Sequence, residues 1–495
     1  MVKESRREIQ KARRERAKKR DRVILLSLLG LLMTTVWAFV LIEGVSISLP
    51  KMPLPKLEWS WSWSSEADSK EVPDQKEEAV TGLYSPGQQV GLKASASQTA
   101  NGKSLEPFKH RLALVAKVAK EKDGDRLIYQ LQFSKDEKVS QVYEEDLEVV
   151  ETTFSLGQEV ELLDREGAAE VTQISQGPSG WLYQIRMETG EMFDQLTEYQ
   201  LAYVYDIPLQ EDYEATDNNR LIQEALDLSQ QYTFTVLRFP KGRFKIGSHL
   251  PDQEYIILRS NVELRGQETT LEVNGSARWY GLATGQTAFD GLSYFLMNGL
   301  HVEASDLEKG NQFIIMANHG HTWHIKNNRF TQVHQMSSHV FDLGGIQHAT
   351  FEDNVFEGYA PELTAVTELG DRNLHNFYAE AIQLDESSVQ TGWDGGFMKA
   401  IDPNYQWTSV TPIMSNHITI TRNQFLPYYQ DGKLIAYGAT IGQHSSLVGQ
   451  VSITHNTFKE TLTKRFQDPK NPNWVLEPIH LNSTVDNDIR GNVFD

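Results

Sequence analysis

Asp342, Glu380, Asp385 and His444 lie in three short runs of alternating apolar and polar residues: His339-Val-Phe-Asp-Leu-Gly344, Glu380-Ala-Ile-Gln-Leu-Asp385 and Gly442-Gln-His-Ser445. As strands, such runs turn every second side chain to one surface. With Ile382 and Leu384 inward, Ala381, Gln383 and Asp385 face out. Aligning the first run on the second makes Asp342 the neighbour of Gln383. Counting from the Asn-x-Phe turns described below places His444 in the column of Asp342, with Glu380 at the edge of the group. Paired carboxylates suit glycosidic hydrolysis, because one is held protonated as an acid while the other stays charged as base or nucleophile. Elimination or epimerisation asks instead for a base beside a uronate sugar and a cation for the developing charge, for which Arg372 or Lys399 is available. The residue types leave that choice open. The competing reading is that outward Asp and Gln only ladder with one another and hold water.

The segment 386–415 carries Trp393, Tyr405 and Trp407, whose ring faces stack well on sugars and equally well on a protein surface. His319, His321 and His324 form a candidate metal cluster, with His319 and His321 sharing a strand face, but the spacing supplies no third ligand.

These residues need a frame, and a recurrence supplies it. Asn-x-Phe closes a short alternating strand at Asn328/Phe330, Asn354/Phe356, Asn423/Phe425, Asn456/Phe458 and Asn492/Phe494. One unit repeated with variable insertions predicts a stacked solenoid. The Asn is expected at the bend, tolerant of left-handed dihedrals and laddered with the next Asn, while the Phe residues stack inside. The Asn spacings are 26, 69, 33 and 36 residues, and the longer ones leave room for functional loops on one face.

Upstream, Thr216 to Asn219 offer helix-capping residues before the apolar face Leu221, Ile222, Ala225, Leu226, and 235–246 reads as strand, turn, strand. A helix here would close the open end of the coil. The runs Asp217-Asn-Asn-Arg-Leu-Ile-Gln-Glu-Ala-Leu-Asp and Val236-Leu-Arg-Phe-Pro-Lys-Gly-Arg-Phe resemble the entry of the pectate-lyase-like superfamily. The runs at 339–345, 380–385 and 442–445 resemble cell-surface members from Gram-positive bacteria. The resemblance covers about 213–495 and implies a right-handed parallel β-helix acting on or binding a surface or cell-wall polysaccharide. It leaves the reaction open, because one scaffold hosts many chemistries. It implies no obligatory cofactor, though calcium near Asp385 and Asp394 is implied for some relatives.

Ahead of the coil, 1–22 holds eleven Lys/Arg against four Asp/Glu, and 23–42 is free of charge, long enough for one transmembrane helix with a cytoplasmic N-terminus. A spacer, 43–83, follows, with Pro50, Pro53 and Pro55 near its start and the triplet Trp59, Trp61, Trp63. Two related segments, 84–152 and 153–208, repeat Tyr84-Ser-Pro-Gly-Gln-Gln-Val90 as Phe154-Ser-Leu-Gly-Gln-Glu-Val160 and resemble SH3-like β-barrels, as ligand binders or as spacers. The net charge of −20 argues against nucleic acid as a partner and does not attract polyanions. With no Cys, an extracellular coil must rely on its core. The last residues lie inside what reads as a rung, so either the insertion 464–478 with Trp474 covers that end or a second subunit does, by self-association. The expected protein is thus mainly β and membrane-anchored. It faces outward and either processes a polysaccharide or, without catalysis, binds one as a scaffold.

Overall fold

The computed structural model describes residues 80, 82–122, 124–165, 167–250, 253–283, 290–334, 339–359, 380–387, 413–443, 448–461, 477–481 and 486–495. The basic tail, the expected span at 23–42 and nearly all of the spacer lie outside these residues. So do Arg372, Trp393, Asp394, Lys399, Tyr405, Trp407, His444 and Trp474. Among the described residues no helix is long and apolar enough to cross a membrane. Among the described residues the fold is mainly β with one α-helix, α1 (Ala215–Ser229).

From residue 235 onward the chain winds into a parallel β coil with three faces. Face A stacks Tyr255–Ile257, Ser276–Gly281, Gln312–Asn318, Phe341–Gly344, Glu380–Asp385, Thr440–Gly442 and Ile479–His480, every neighbouring pair parallel. Face B contains His321–Lys326, Gln347–Glu352, Asn416–Thr421, Val451–Thr454 and Asn487–Arg490. Face C contains Arg329–Thr331, Val355–Glu357, Gln424–Leu426, Thr457–Phe458 and Val493–Phe494. The two long strands Val262–Val273 and Phe295–Ala304 cover faces B and C of the first rungs.

The corner between faces B and C carries the repeat. Asn328, Asn354, Asn423, Asn456 and Asn492 form a ladder in which each Nδ2 donates to the next Oδ1 at 2.9–3.0 Å. The same Oδ1 also accepts the backbone N–H of the preceding Asn. Inside the coil, Phe330, Phe356, Phe425, Phe458 and Phe494 stack at 5.1, 5.0, 4.6 and 5.4 Å between ring centres. The expected left-handed bend, however, falls one residue earlier, on Asn327, Asp353, Arg422, His455 and Gly491. The ladder Asn is selected by its amide, which satisfies buried backbone groups, and not by its dihedral tolerance.

The two N-terminal repeats are antiparallel sheets. The first comprises Gln89–Leu92, Ala113–Lys120, Leu127–Ser134, Glu137–Tyr143 and Leu147–Val149 around its own core. In the second, Leu201–Asp206 pairs antiparallel with Glu159–Leu162 on one edge and parallel with Thr235–Phe239 on the other. The second sheet therefore continues into the coil and satisfies the edge of its first rung. Arg238 clamps Glu159 and Asp206, and Arg265 clamps Glu161 and Glu263, across this junction.

Helix α1 packs on the same end, but its start differs from expectation. Glu214 is the N-cap and makes no side-chain cap bond. Asn218 and Asn219 are buried within the helix and donate to Lys245 O and Gly247 O, pinning it to the coil. At the far end Ile489, Val493 and Phe494 are exposed. The coil core also holds the imidazole of His334, which is fully buried between Phe356 and Tyr359 with no partner for either ring nitrogen among the described residues.

Two predictions follow from this interior. Asn423→Ala removes the acceptor of the Asn354 backbone N–H and of one Asn354 Nδ2–H, and the donor to Phe351 O, in the core, at about 1–3 kcal/mol each. It should therefore lower stability by roughly 3–5 kcal/mol, against about 1–2 for Asn492→Ala at the open end, read from urea midpoints. Equal losses would contradict the ladder. Burial pushes the His334 imidazole down to about 3, from 6.5 when exposed. Between these pH values the unfolded chain binds a proton that the folded chain refuses, so stability falls as pH drops through this window. His334→Leu should reduce the fall in melting temperature between pH 7 and pH 5; an unchanged fall would refute the assignment.

Candidate functional site

Because the B–C corner is closed by a two-residue bend in every laddered rung, it takes no insertion. The long connections all open at the two edges of face A: 358–379, 427–439 and 459–478 on one side, 386–415 and 443–450 on the other. Face A is therefore the surface that loops can wall in.

Register on that face brings some of the expected residues together. Tyr280, Met316, Asp342, Gln383, Gly442 and His480 form one column, and Asn318, Gly344 and Asp385 form the next. Asp342 thus neighbours Gln383 as expected. Asp385 lies one rung and two residues from Asp342, which from strand geometry separates their Cα atoms by about 8 Å. The Gln383 amide donates to Asp385 Oδ2. Gln383 and Asp385 are 6% and 7% exposed, whereas Asp342 is half-buried.

Three expectations need correction. Gly442, not His444, occupies the column of Asp342. Counting from the turns missed this because the corner between faces A and B varies in length from rung to rung. Ala381 belongs to the core, because a register shift between Glu380 and Ile382 inserts an extra residue in the strand. Glu380 consequently joins the outward set, pairing with Thr440. Its carboxylate fills the space over Gly442, where a Cβ would collide with Glu380 Oε1. His339 Nδ1 bonds Glu380 O at 3.0 Å.

The third correction concerns the three histidines. His319 sits in the A–B corner at positive φ and not on a strand. Its Nδ1 meets Asp290 Oδ1 at 2.8 Å and its Nε2 meets Ser387 Oγ at 3.0 Å. His324 pairs with Glu352 at 2.6 Å, and His321 packs on Tyr294. Among the described residues no group of three or more His, Asp or Glu is placed to hold a metal.

The Asp290–His319–Ser387 chain has the spacing of a nucleophile relay. Ser387 is fully buried, however, and its Oγ accepts Ile413 N–H at 3.0 Å, while Ser387 N–H donates to Ile413 O at 2.8 Å. These residues are the two ends of the 388–412 insertion, so the chain clamps its neck. Neither repeat nor motif signals that contact, which joins residues 68 positions apart.

Sequence reading also missed Arg278, Tyr280 and His480. Arg278 lies two rungs from Asp342, held by Glu254 at 3.0 Å and Gln312 at 3.0 Å. Burial raises the Glu254 carboxyl against the pull of Arg278, and burial pushes the Tyr280 hydroxyl up to about 12. The alternation Trp279-Tyr280 and Ile479-His480 matches Phe341-Asp342, a signal a full rung-by-rung alignment would find.

No protein-family model matches the chain, and no curated protein matches it. Among solved structures it is similar to PfbA, a surface adhesin of Streptococcus pneumoniae, at 15% identity and a TM-score of 0.41 over 59% of this chain and 62% of that one. The chain thus spans less than two thirds of the adhesin. It is also similar to the A-module of the Azotobacter vinelandii mannuronan C-5 epimerase AlgE4, at 13% and 0.27 over 59% and 97%. A tailspike protein of E. coli bacteriophage HK620 follows at 10% and 0.28 over 58% and 54%. The parallel coil rests on the strand register itself and not on these likenesses.

Proposed function

We propose that face A binds a polysaccharide chain and hydrolyses it between Asp342 and Asp385. The observation that carries this reading is the register that sets both carboxylates on adjacent rungs of the face flanked by insertions. Two outward side chains whose Cα atoms stand about 8 Å apart can hold their carboxyl groups far enough from each other for a water to fit between carboxylate and sugar, the arrangement of an inverting glycosidase. Asp385, whose Oδ2 takes the Gln383 amide, acts as the base that accepts a proton from that water. Asp342, half-buried, protonates the leaving oxygen. Hydrolysis is favoured over elimination because Arg278, a cation of this face, is already engaged by Glu254 and Gln312 and stands two rungs away.

In this reading the coil winds right-handed, as parallel crossovers do. The sheets at 84–208 are SH3-like modules, and 23–42 tethers the protein to the outer face of a Gram-positive membrane. Trp393, Tyr405 and Trp407 wall the groove, and Arg372 binds the substrate there. Self-association at the exposed last rung is part of the same proposal. A second reading, a non-catalytic glycan-binding scaffold, is favoured by the low exposure of Glu380, Gln383 and Asp385.

Purified protein incubated with surface and wall polysaccharides should release new reducing ends without absorbance from unsaturated uronates. Asp385→Asn keeps the Gln383 contact and should lower kcat by about 10²–10⁴ with little change in KM, at an unchanged melting temperature. Retention of glycan without any product, indifferent to this substitution, would establish the scaffold reading instead.

A further inference from the structure

Beyond the A–B corner, face B carries an open groove of about 510 Å³ that crosses four rungs, or roughly 14 Å. Two columns line it. The outer column is the residue just before each face B strand turns inward, and it recurs at positive φ in Asn261, Tyr294, Thr322, His348, His417 and Asp486, between 50° and 60°. Gln450 fills the same place in its rung without positive φ, so the coil favours this conformation and leaves the side chain open. Two successive members are imidazoles, His348 and His417, both exposed and stacked at 4.5 Å and 26°. The inner column runs Thr350, Thr419, Ser452 and Asp488 in unbroken register, so three hydroxyls repeat at rung spacing beside the rings.

We propose that this groove is a second glycan site, distinct from face A, that holds an uncharged hexose polymer. Flat rings beside repeated hydroxyls match a sugar, whose C–H face stacks while its hydroxyls exchange hydrogen bonds. Charge selects the class. Asp486 and Asp488 line the groove and, among the described residues, no Lys or Arg does; Arg490, nearby, is engaged by Asp488 at 3.2 Å. Uronate or sulfated chains would meet carboxylates without a free cation, in a protein of net charge −20. The inference rests on the glycan reading of the coil but uses none of the face A carboxylates.

The test is a titration of the purified chain with neutral hexasaccharides (β-1,4-glucan, β-1,3-glucan, α-1,4-glucan and β-1,4-mannan) and with hexagalacturonate. Imidazole Cε1–H resonances report binding, assigned through His348→Asn and His417→Asn. Asn tolerates positive φ, so these variants remove the rings without straining the bend. At least one neutral hexasaccharide should shift both signals, and the double variant should bind it at least tenfold more weakly. Asp342→Asn/Asp385→Asn should bind it unchanged. The proposal is overturned if no neutral member moves the two signals at 10-millimolar order (~10 mM), if hexagalacturonate binds as tightly, or if the double variant binds equally well. Turnover that survives in the His variants while the groove binds nothing would remove this inference and leave face A standing. Groove binding with turnover indifferent to Asp342→Asn/Asp385→Asn would do the reverse.

Discussion

A coil of short parallel strands must satisfy the backbone groups that turn away from the sheets at each corner, and here one side-chain amide per rung does so. The ladder from Asn328 to Asn492 accepts a backbone N–H with each Oδ1 and returns its Nδ2 to a carbonyl of the neighbouring rung. The members Asn328, Asn354, Asn423 and Asn456 are at most 1% exposed, so water cannot substitute for any of them. The Phe column beside it adds ring stacking of about 0.5–1.5 kcal/mol per contact beyond its burial. The ladder holds only if the bend keeps a constant length.

That constancy shapes everything outside the core. With one corner closed to insertions, sequence variation is driven to the edges of face A, where connections of very different length are tolerated because loop closure costs grow slowly with length. The clamp of His319 on Ser387 holds the neck of the longest of them. Face A is therefore the face that insertions flank, while face B, across the A–B corner, carries an open groove. The N-terminal end is closed by a different device, a strand shared with the preceding antiparallel sheet, which makes that sheet part of the coil and not a detached spacer.

Much of this frame was legible in the residues. Asn-x-Phe named the ladder and the stack correctly because both depend on residue type at fixed offsets from a bend. The neighbours Asp342 and Gln383 followed from simple alternation. Three things did not. The bend was placed on the ladder Asn, whereas the left-handed residue precedes it, a position that Arg422 and His455 fill as readily as Asn327. The bulge at Ala381 reversed one step of alternation and exchanged Ala381 with Glu380. The column expected for His444 is held by Gly442, because corners between faces A and B differ in length.

What the chain alone determined is periodic: which residues face inward, which amides stack, and where insertions interrupt. These are local consequences of strand alternation and turn chemistry, repeated until they become unmistakable. What the tertiary structure decided is non-periodic: that Leu201–Asp206 joins the coil, that Asp290, His319 and Ser387 meet, that Arg278 and Tyr280 share a face with Asp342, and that His348 stacks on His417. Those contacts depend on how many residues each rung spends between faces, a quantity set by packing around the whole turn and invisible in any one stretch of sequence.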